Sequence, residues 1–459
     1  MAKKQLKIGL AAYGSGWDND AWRLPESANI GLKDPSVILD VARIAERGKL
    51  DYVFAGSSLA TEPDRWGRIF RWDNTAYGAY AAAQTKNVGF LLTYNTSFEH
   101  PFFVARQLAT LDNFSGGRVA FNAVTGIDRE GGPTDNFANW PLPDQDTKYS
   151  RVAEFTEVLN QLLYSWDEDF LLDDKEKGQL VRPGSWHPLD YSGEHFVVKG
   201  PLNVARPIQN AIPNVHVGAS QRSVEYGVKY AHARFAPYLG HEAGKQEYAR
   251  QKALIAADGR DPDKFKILPG VTFYIGATVN EARAKFRQIQ EFTLGKQIPE
   301  AIGRAVGVEL VDVKPTERFF DVVDIEKIGP DTLKALIPEA VQRRQPAGNA
   351  RAGTDDREWL QRTVVDQLGE DVTLADVYQF VVKRRFGQGI LVGDAKRFAD
   401  FLEDGLEDEV FDGVQLFPPY HRGPADLFVD LVVPELQRRG IFRTEYEGKT
   451  LEQNLGTAE

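Results

Sequence analysis

Three stretches of this chain end apolar runs with small polar side chains that could hold a ligand without carrying charge. Thr93-Tyr94-Asn95-Thr96-Ser97 follows the run Val88–Leu92, Asn122-Ala123-Val124-Thr125-Gly126 ends the run that begins at Val119, and Gly218-Ala219-Ser220 follows Asn214–Val217. Amides and hydroxyls so placed can hydrogen-bond a heteroaromatic ring, or they can simply cap strand ends and turns. The third stretch opens a helical pattern. There the free backbone N–H groups and the dipole favour an anion, Gly218 permits close approach and Ser220 adds a hydroxyl, although a plain serine N-cap reads the same way. Tyr149, near the start of another helical pattern, could supply a second phosphate hydroxyl or be a half-buried surface tyrosine.

Other chemistries fit less well. Gly56-Ser57-Ser58-Leu59-Ala60 resembles a nucleophile elbow with Ser58 as the nucleophile. An elbow needs a helix immediately behind its serine, and Thr61–Arg71 carries Pro63 and no helical stripe. The seven histidines (100, 187, 195, 216, 232, 241 and 421) show no His-Glu-x-x-His or other local metal spacing. His187 and His195 flank an expected hairpin and could meet across it or serve packing. No pair of carboxylates is singled out for glycoside hydrolysis. The absence of cysteine excludes disulfides, thiolate zinc sites, iron–sulfur clusters and a cysteine nucleophile. A net charge of −11 argues against binding nucleic acid or an anionic membrane through bulk charge. The N-terminal stretch has only a short apolar run, and nothing approaches the roughly 20 apolar residues that cross a bilayer, so the expectation is a cytoplasmic protein.

The elements that must position these residues alternate regularly. Apolar runs read as strands begin at Leu6, Tyr52, Val88, Val119, Asn214, Ala233, Phe265 and Gly413, eight in all. Helical patterns lie between them over 35–47, 75–84, 102–114, 148–164, 220–230, 245–257, 279–292, 395–403 and 424–439. Eight strands alternating with helices predict an α/β fold, a single (β/α)8 TIM-type barrel, with ligand groups at the carboxyl ends of the strands. The rhythm breaks at about 166–213, read as a hairpin excursion, and at about 295–387, where no strand is expected. Both are read as insertions in one domain spanning 1–459.

Longer motifs carry a family resemblance. Phe103-Val104-Ala105-Arg106-Gln107-Leu108-Ala109-Thr110-Leu111-Asp112, with Ser115-Gly116-Gly117-Arg118-Val119 and Asn122-Ala123-Val124-Thr125 behind it, resembles the signature of flavin-dependent monooxygenases of the bacterial-luciferase-like superfamily. The branch it is most similar to is that of nitrilotriacetate monooxygenase component A, dibenzothiophene sulfone monooxygenase and pristinamycin IIA synthase. Lys199-Gly200-Pro201-Leu202-Asn203-Val204, Gly218-Ala219-Ser220 and the stretch from Phe428 to Leu451 extend it, so that it runs from about Leu6 to Leu455.

The resemblance implies an enzyme that receives reduced FMN from a separate NAD(P)H:flavin reductase. It would react the flavin with O2 and oxygenate a small organic substrate through a flavin (hydro)peroxide. The cofactor would carry the hard chemistry, so no catalytic side chain is assigned and no metal is implied. By motif position Tyr149, Ser220 and the backbone of Gly218 and Ala219 would hold the phosphate; Thr93, Asn122 and Thr125 would lie along the isoalloxazine and ribityl, and Tyr13 and Phe54 near the ring. Relatives commonly read Phe-Phe-Ala-Asp where this chain has Val53-Phe54-Ala55-Gly56, and often His-Asp where it has Gln145-Asp146. A homodimer or homotetramer is also implied. The alternatives are a deazaflavin-dependent oxidoreductase of the same superfamily, a serine hydrolase using Ser58, and a noncatalytic flavin-binding or light-emission accessory barrel. Substrate selection is assigned to 61–72, 126–146 and the segment after 295, where Trp66, Phe70, Trp72, Phe137 and Trp140 suggest an apolar or aromatic substrate.

Overall fold

A computed structural model of the protein describes residues 4–18, 20–27, 34–61, 72–126, 136–137, 144–218, 220–238, 240–292, 297–325, 365, 367–378 and 389–458. Its strands are β1 (Lys7–Ala11), β2 (Tyr52–Ala55), β3 (Gly89–Asn95), β4 (Val119–Val124), β5 (Leu171–Asp174), β6 (Gln179–Val181), β7 (Tyr191–Ser192), β8 (Val197–Val198), β9 (Val215–Val217), β10 (Ala233–Ala236), β11 (Lys266–Ile275), β12 (Gly389–Gly393) and β13 (Gly413–Phe417). The eight apolar runs of the sequence are all strands, and they pair in parallel in the order β4-β3-β2-β1-β13-β11-β10-β9. A parallel bridge between Phe121 of β4 and Asn214, just before β9, brings the two ends of this sheet together. The result is a nearly closed barrel of eight parallel strands.

Helices fill the intervals: α1 (Ser36–Arg47), α2 (Asn74–Ala82), α3 (Pro101–Ser115), α4 (Gln145–Leu163), α5 (Gln221–Tyr230), α6 (His241–Ala257) and α7 (Val279–Glu291), with a further one at Ala395–Glu407. The expected 424–439 helix is a run of three consecutive helical segments from Pro424 to Arg438. Side chains pointing outward from the strands, such as Ile8, Leu10, Phe90, Leu92, Phe121 and Phe273, join the helices in the main apolar core. Those pointing inward, among them Ala11, Tyr52, Phe54, Leu91, Ala120, Val215, Ala233, Phe235 and Leu268, form a separate cluster inside the barrel. This alternation is the period-2 geometry of a strand covered on both faces.

The two irregular regions differ from expectation in detail. Region 166–213 holds two antiparallel hairpins, β5-β6 and β7-β8, and Phe196 packs on Phe155 of α4 with ring centroids 5.9 Å apart. His187 and His195 do not meet across them. His187 Nε2 pairs with Asp167 Oδ1 at 2.7 Å, and His195 Nε2 with Ser150 Oγ at 3.0 Å. Just past the second region lies a strand not expected from the sequence, β12. It pairs with Val271–Ile275 of β11. Since Val271 and Thr272 also pair with β13, β12 takes the edge of β11 that β10 occupies lower down. Its three apolar residues between glycines are too short a run to register as a further beat.

The amino-terminal end of the barrel is closed by the C-terminal segment. Leu451 and Leu455 of the helix Leu451–Leu455 belong to the interior cluster, the Leu451 amide donates to the Gly117 carbonyl at 2.8 Å, and the Leu6 amide to the Ile441 carbonyl at 2.9 Å. Asp51, fully buried there, accepts from the Ile8 amide at 2.6 Å and pairs with Arg443. Leu451→Ala should cost about 2–5 kcal/mol through lost burial and a residual cavity, checked by urea unfolding.

Buried imidazoles give the fold a pH dependence. His216 is 1% exposed. One ring nitrogen faces the Ala123 carbonyl at 3.1 Å, which can only accept, so Nδ1 carries the proton and Nε2 accepts from Ser223 Oγ at 2.9 Å. Burial pushes its pKa down to about 3, with the Arg234 charge adding to the effect. Because the folded pKa lies below the unfolded value of about 6.5, the contribution of His216 to stability is complete above pH 6.5 and shrinks as pH falls toward 3. Replacing His216 with Asn should make the loss of stability between pH 6.5 and 4 shallower by about 1.4 kcal/mol per pH unit. Denaturant titrations at several pH values check this; an unchanged slope would contradict it.

Candidate functional site

The expected site residues fall into two groups at the carboxyl ends of the strands. In the first, Leu91 and Ala120 face the barrel interior, so Thr93 and Asn122, two residues further along β3 and β4, face it too. They are directly in register. Asn122 Nδ2 donates to Thr93 Oγ1 at 3.2 Å, and Asn74 Nδ2 holds the Thr93 carbonyl at 2.7 Å. Asn122 is 2% exposed, yet its Oδ1 has no hydrogen-bond partner among the described residues. A buried acceptor left without a donor is costly, so it marks where a donor belongs.

The carboxyl ends of other strands of the barrel bring together an aromatic group that only partly emerges from sequence. Tyr13, two residues past β1, stands 6.0 Å from Phe54 of β2, 5.0 Å from Trp17 and 6.3 Å from Phe417 at the end of β13, and Phe54 is 5.0 Å from Phe235 of β10. All but Trp17 are less than a tenth exposed. Motif position points to Tyr13 and Phe54 but not to Trp17, Phe235 or Phe417, although the latter two lie in strands whose apolar runs are plain in the sequence.

Gly56, where the resemblance leads one to expect an aspartate, has no room for a side chain. A Cβ built on Gly56 would lie 2.2 Å from Tyr13 Oη. The Tyr13 ring is hemmed in by Trp17, Phe54 and Phe417, so it cannot swing aside cheaply. The tyrosine hydroxyl thus stands where any side chain at 56 would start.

The second group surrounds the start of α5. Ser220 is the N-cap, its Oγ accepting from the Ser223 amide at 3.2 Å. The cap reading and the anion reading coexist, since the side chain is exposed and keeps a hydroxyl for a second partner. Gly218 has φ +148°, and a Cβ there would lie 2.2 Å from Ser223 Oγ and 3.6 Å from Tyr149 Oη. Only glycine fits, and Tyr149 is thereby placed against the turn. Ala219 lies outside the described residues. Thr125 is half-buried just past β4, and its carbonyl accepts from Ser97 Oγ at 2.8 Å. The two groups are linked through β4, which supplies Asn122 to the first and the Ala123 carbonyl that holds His216 of β9.

Gln145 begins α4 and is exposed; its neighbour Asp146 pairs with Arg222 of α5 at 2.8 Å. Ser58 Oγ donates to the Ala60 carbonyl at 3.1 Å, and no hydrogen bond joins it to a histidine among the described residues. Trp66, Phe70 and Trp140 lie outside the described residues, whereas Trp72 is exposed and Phe137 stacks on Phe98 at 4.6 Å. Among the described residues no group of three or more His, Asp or Glu side chains could hold a metal ion, and no helix is long and apolar enough to cross a membrane.

Comparison with known proteins shows the family. Residues 15–357 match the family described as luciferase-like monooxygenase. The chain is 30% identical to N-acetyl-S-(2-succino)cysteine monooxygenase of Bacillus subtilis (strain 168), over 99% of this chain and 97% of that protein. It is 32% identical to nitrilotriacetate monooxygenase component A of Aminobacter aminovorans, over 100% and 97%. Its backbone is similar to that of a riboflavin lyase solved with a modified FMN and riboflavin, with a TM-score of 0.76 at 22% identity over 99% of this chain and 96% of that one. The chain belongs to the luciferase-like monooxygenase family and is a flavin-dependent monooxygenase.

Proposed function

We propose that the protein is the oxygenase of a two-component system: it takes reduced FMN from a separate NAD(P)H:flavin reductase and uses O2 to oxygenate a small organic molecule. The observation that carries this reading is the buried Asn122 Oδ1, an acceptor without a donor among the described residues, at the end of the barrel that also carries the Tyr13–Phe54–Phe235 aromatic group. A flavin ring offers an N–H for that oxygen and a flat face for Tyr13 and Phe54. Its ribityl chain suits Thr93 and Thr125, and its phosphate suits Ser220, Tyr149 and the backbone of Gly218 and Ala219. The name of the relative called component A supports a separate partner, and the riboflavin lyase with its modified FMN supports the cofactor.

When bound, the flavin supplies the electrons that activate oxygen. The chain's own residues bind, orient and exclude water. Thr93 Oγ1 accepts from Asn122 Nδ2, which fixes the amide so that Oδ1 keeps one orientation. Tyr13, Phe54, Phe235 and Phe417 line the space with apolar surface that offers water few partners. His216, kept neutral by burial, braces β9 against β4 without adding a titrating charge.

In this reading residues 1–459 form one domain, with the regions at about 166–213 and 295–387 as insertions. Packing of Phe196 and Leu202 into the main core supports the first, and packing of Ile298, Phe319 and Leu374 against Tyr274 and Phe286 supports the second. Exposed Phe103 and Phe114 on α3 support a homo-oligomer. The Phe98–Phe137 stack supports an apolar or aromatic substrate.

Oxygen uptake should require FMN, NAD(P)H and a flavin reductase together, and should respond to the correct substrate. Failure to bind reduced FMN would sink the proposal, and hydride transfer without oxygen uptake would point to a deazaflavin enzyme. Ser220→Ala combined with Tyr149→Phe should weaken reduced FMN binding by roughly 3–6 kcal/mol if the two losses add. Unchanged affinity in an anaerobic titration would refute that phosphate placement.

A further inference from the structure

Arg234 is the second residue of β10, and Ala233 and Phe235 on either side of it face the barrel interior. It therefore faces outward, toward the helices, yet it is only 3% exposed. Its guanidinium donates from Nη2 to the Gly218 carbonyl and reaches Gln251 Oε1 of α6 at 3.4 Å. Its Nε has no partner among the described residues. A Cβ on Gly227 of α5 would lie 2.9 Å from Arg234 Cδ, so that glycine makes room for the arginine.

This is a buried cation with no carboxylate at ion-pair distance among the described residues. The acidic side chain nearest in effect, Glu247, is already engaged by Arg250 at 2.7 Å and by Gln251 at 2.8 Å. Arg250, Tyr149 and His216 are the other charged or titratable groups coupled to it, His216 being held neutral by burial. Burial lowers its pKa to about 10, which leaves it charged at neutral pH. An uncompensated buried charge is costly and calls for an anion. The guanidinium is directed at the turn before α5, where the helix dipole, the Ser220 hydroxyl and Tyr149 converge. There it covers the Gly218 carbonyl, whose partial negative charge would otherwise repel a phosphate.

We propose that Arg234 is a positioning residue that makes this turn selective for a dianionic phosphate, so that the site takes FMN in preference to riboflavin. This rests on the phosphate placement proposed above. The charge acts through the Gly218 peptide and over short range, without the arginine itself forming part of the exposed surface.

The test is equilibrium titration of the full chain with FMN and with riboflavin, for the wild type and for Arg234→Met, Arg234→Lys and Gly227→Ala. Wild type is expected to prefer FMN. Arg234→Met should reduce that preference by about tenfold or more by weakening FMN while riboflavin affinity stays within about twofold, and Arg234→Lys should restore most of it. Gly227→Ala, which displaces the guanidinium and leaves its charge in place, should give a smaller loss in the same direction and reads the effect even if Arg234→Met fails to fold. An FMN preference unchanged in the folded variants, or equal loss of both ligands, would overturn the role of Arg234. A wild type without any FMN preference would instead overturn the phosphate placement on which that role depends.

Discussion

The closure of the barrel between β4 and β9 is the constraint on which the site depends. β9 has three residues, and few bonds join it to β4: the Phe121 amide to the Pro213 carbonyl at 2.9 Å, the bridge to Asn214, and His216 to the Ala123 carbonyl at 3.1 Å. So short a pairing specifies its own register weakly. Two carboxylates from elsewhere fix it. Asp112 of α3 accepts from the Ile208 amide at 2.7 Å and the Gln209 amide at 3.2 Å, and Glu452 of the C-terminal helix accepts from the Asn210 and Ala211 amides at 3.0 and 2.9 Å. Gln209, fully buried, ties the two together through Asp112 Oδ1, the Val119 carbonyl and the Glu452 amide. A slip of one residue in β9 would turn Val215 out of the barrel and His216 into it, and would carry Gly218 and Ser220 away from Tyr149.

Much of the fold was legible because its elements obey local rules. The eight strands are apolar runs bounded by turns, and most helices begin at a side chain that caps them, such as Asp73, Asp144, Ser220 and Thr278. Thr93, Asn122 and Ser220 stood out because polar side chains interrupt apolar runs there. Arg234 did not. In Ala233-Arg234-Phe235-Ala236 the alternation puts the arginine on the outer face, which a strand pattern alone reads as solvent; here α5 and α6 cover it. His216 is concealed for a similar reason, because its partners Ala123 and Ser223 belong to other elements and leave no spacing to read.

The exchange at position 56 shows how a departure in a motif can be absorbed locally. Where the family resemblance leads one to expect an aspartate, this chain has a glycine and a tyrosine hydroxyl in the space the side chain would need. The group that fills that space is a phenol hydroxyl rather than a carboxylate. The sulfur content accords with oxygen chemistry carried by a cofactor, since the 459 residues include no cysteine and a single methionine.

A crystal structure of the full chain with FMN tests the central claim most directly. The isoalloxazine is expected against Asn122, Tyr13 and Phe54, and the phosphate within hydrogen-bond distance of the Ser220 and Tyr149 hydroxyls. A flavin bound elsewhere on the barrel, or one whose phosphate points away from the start of α5, would contradict it.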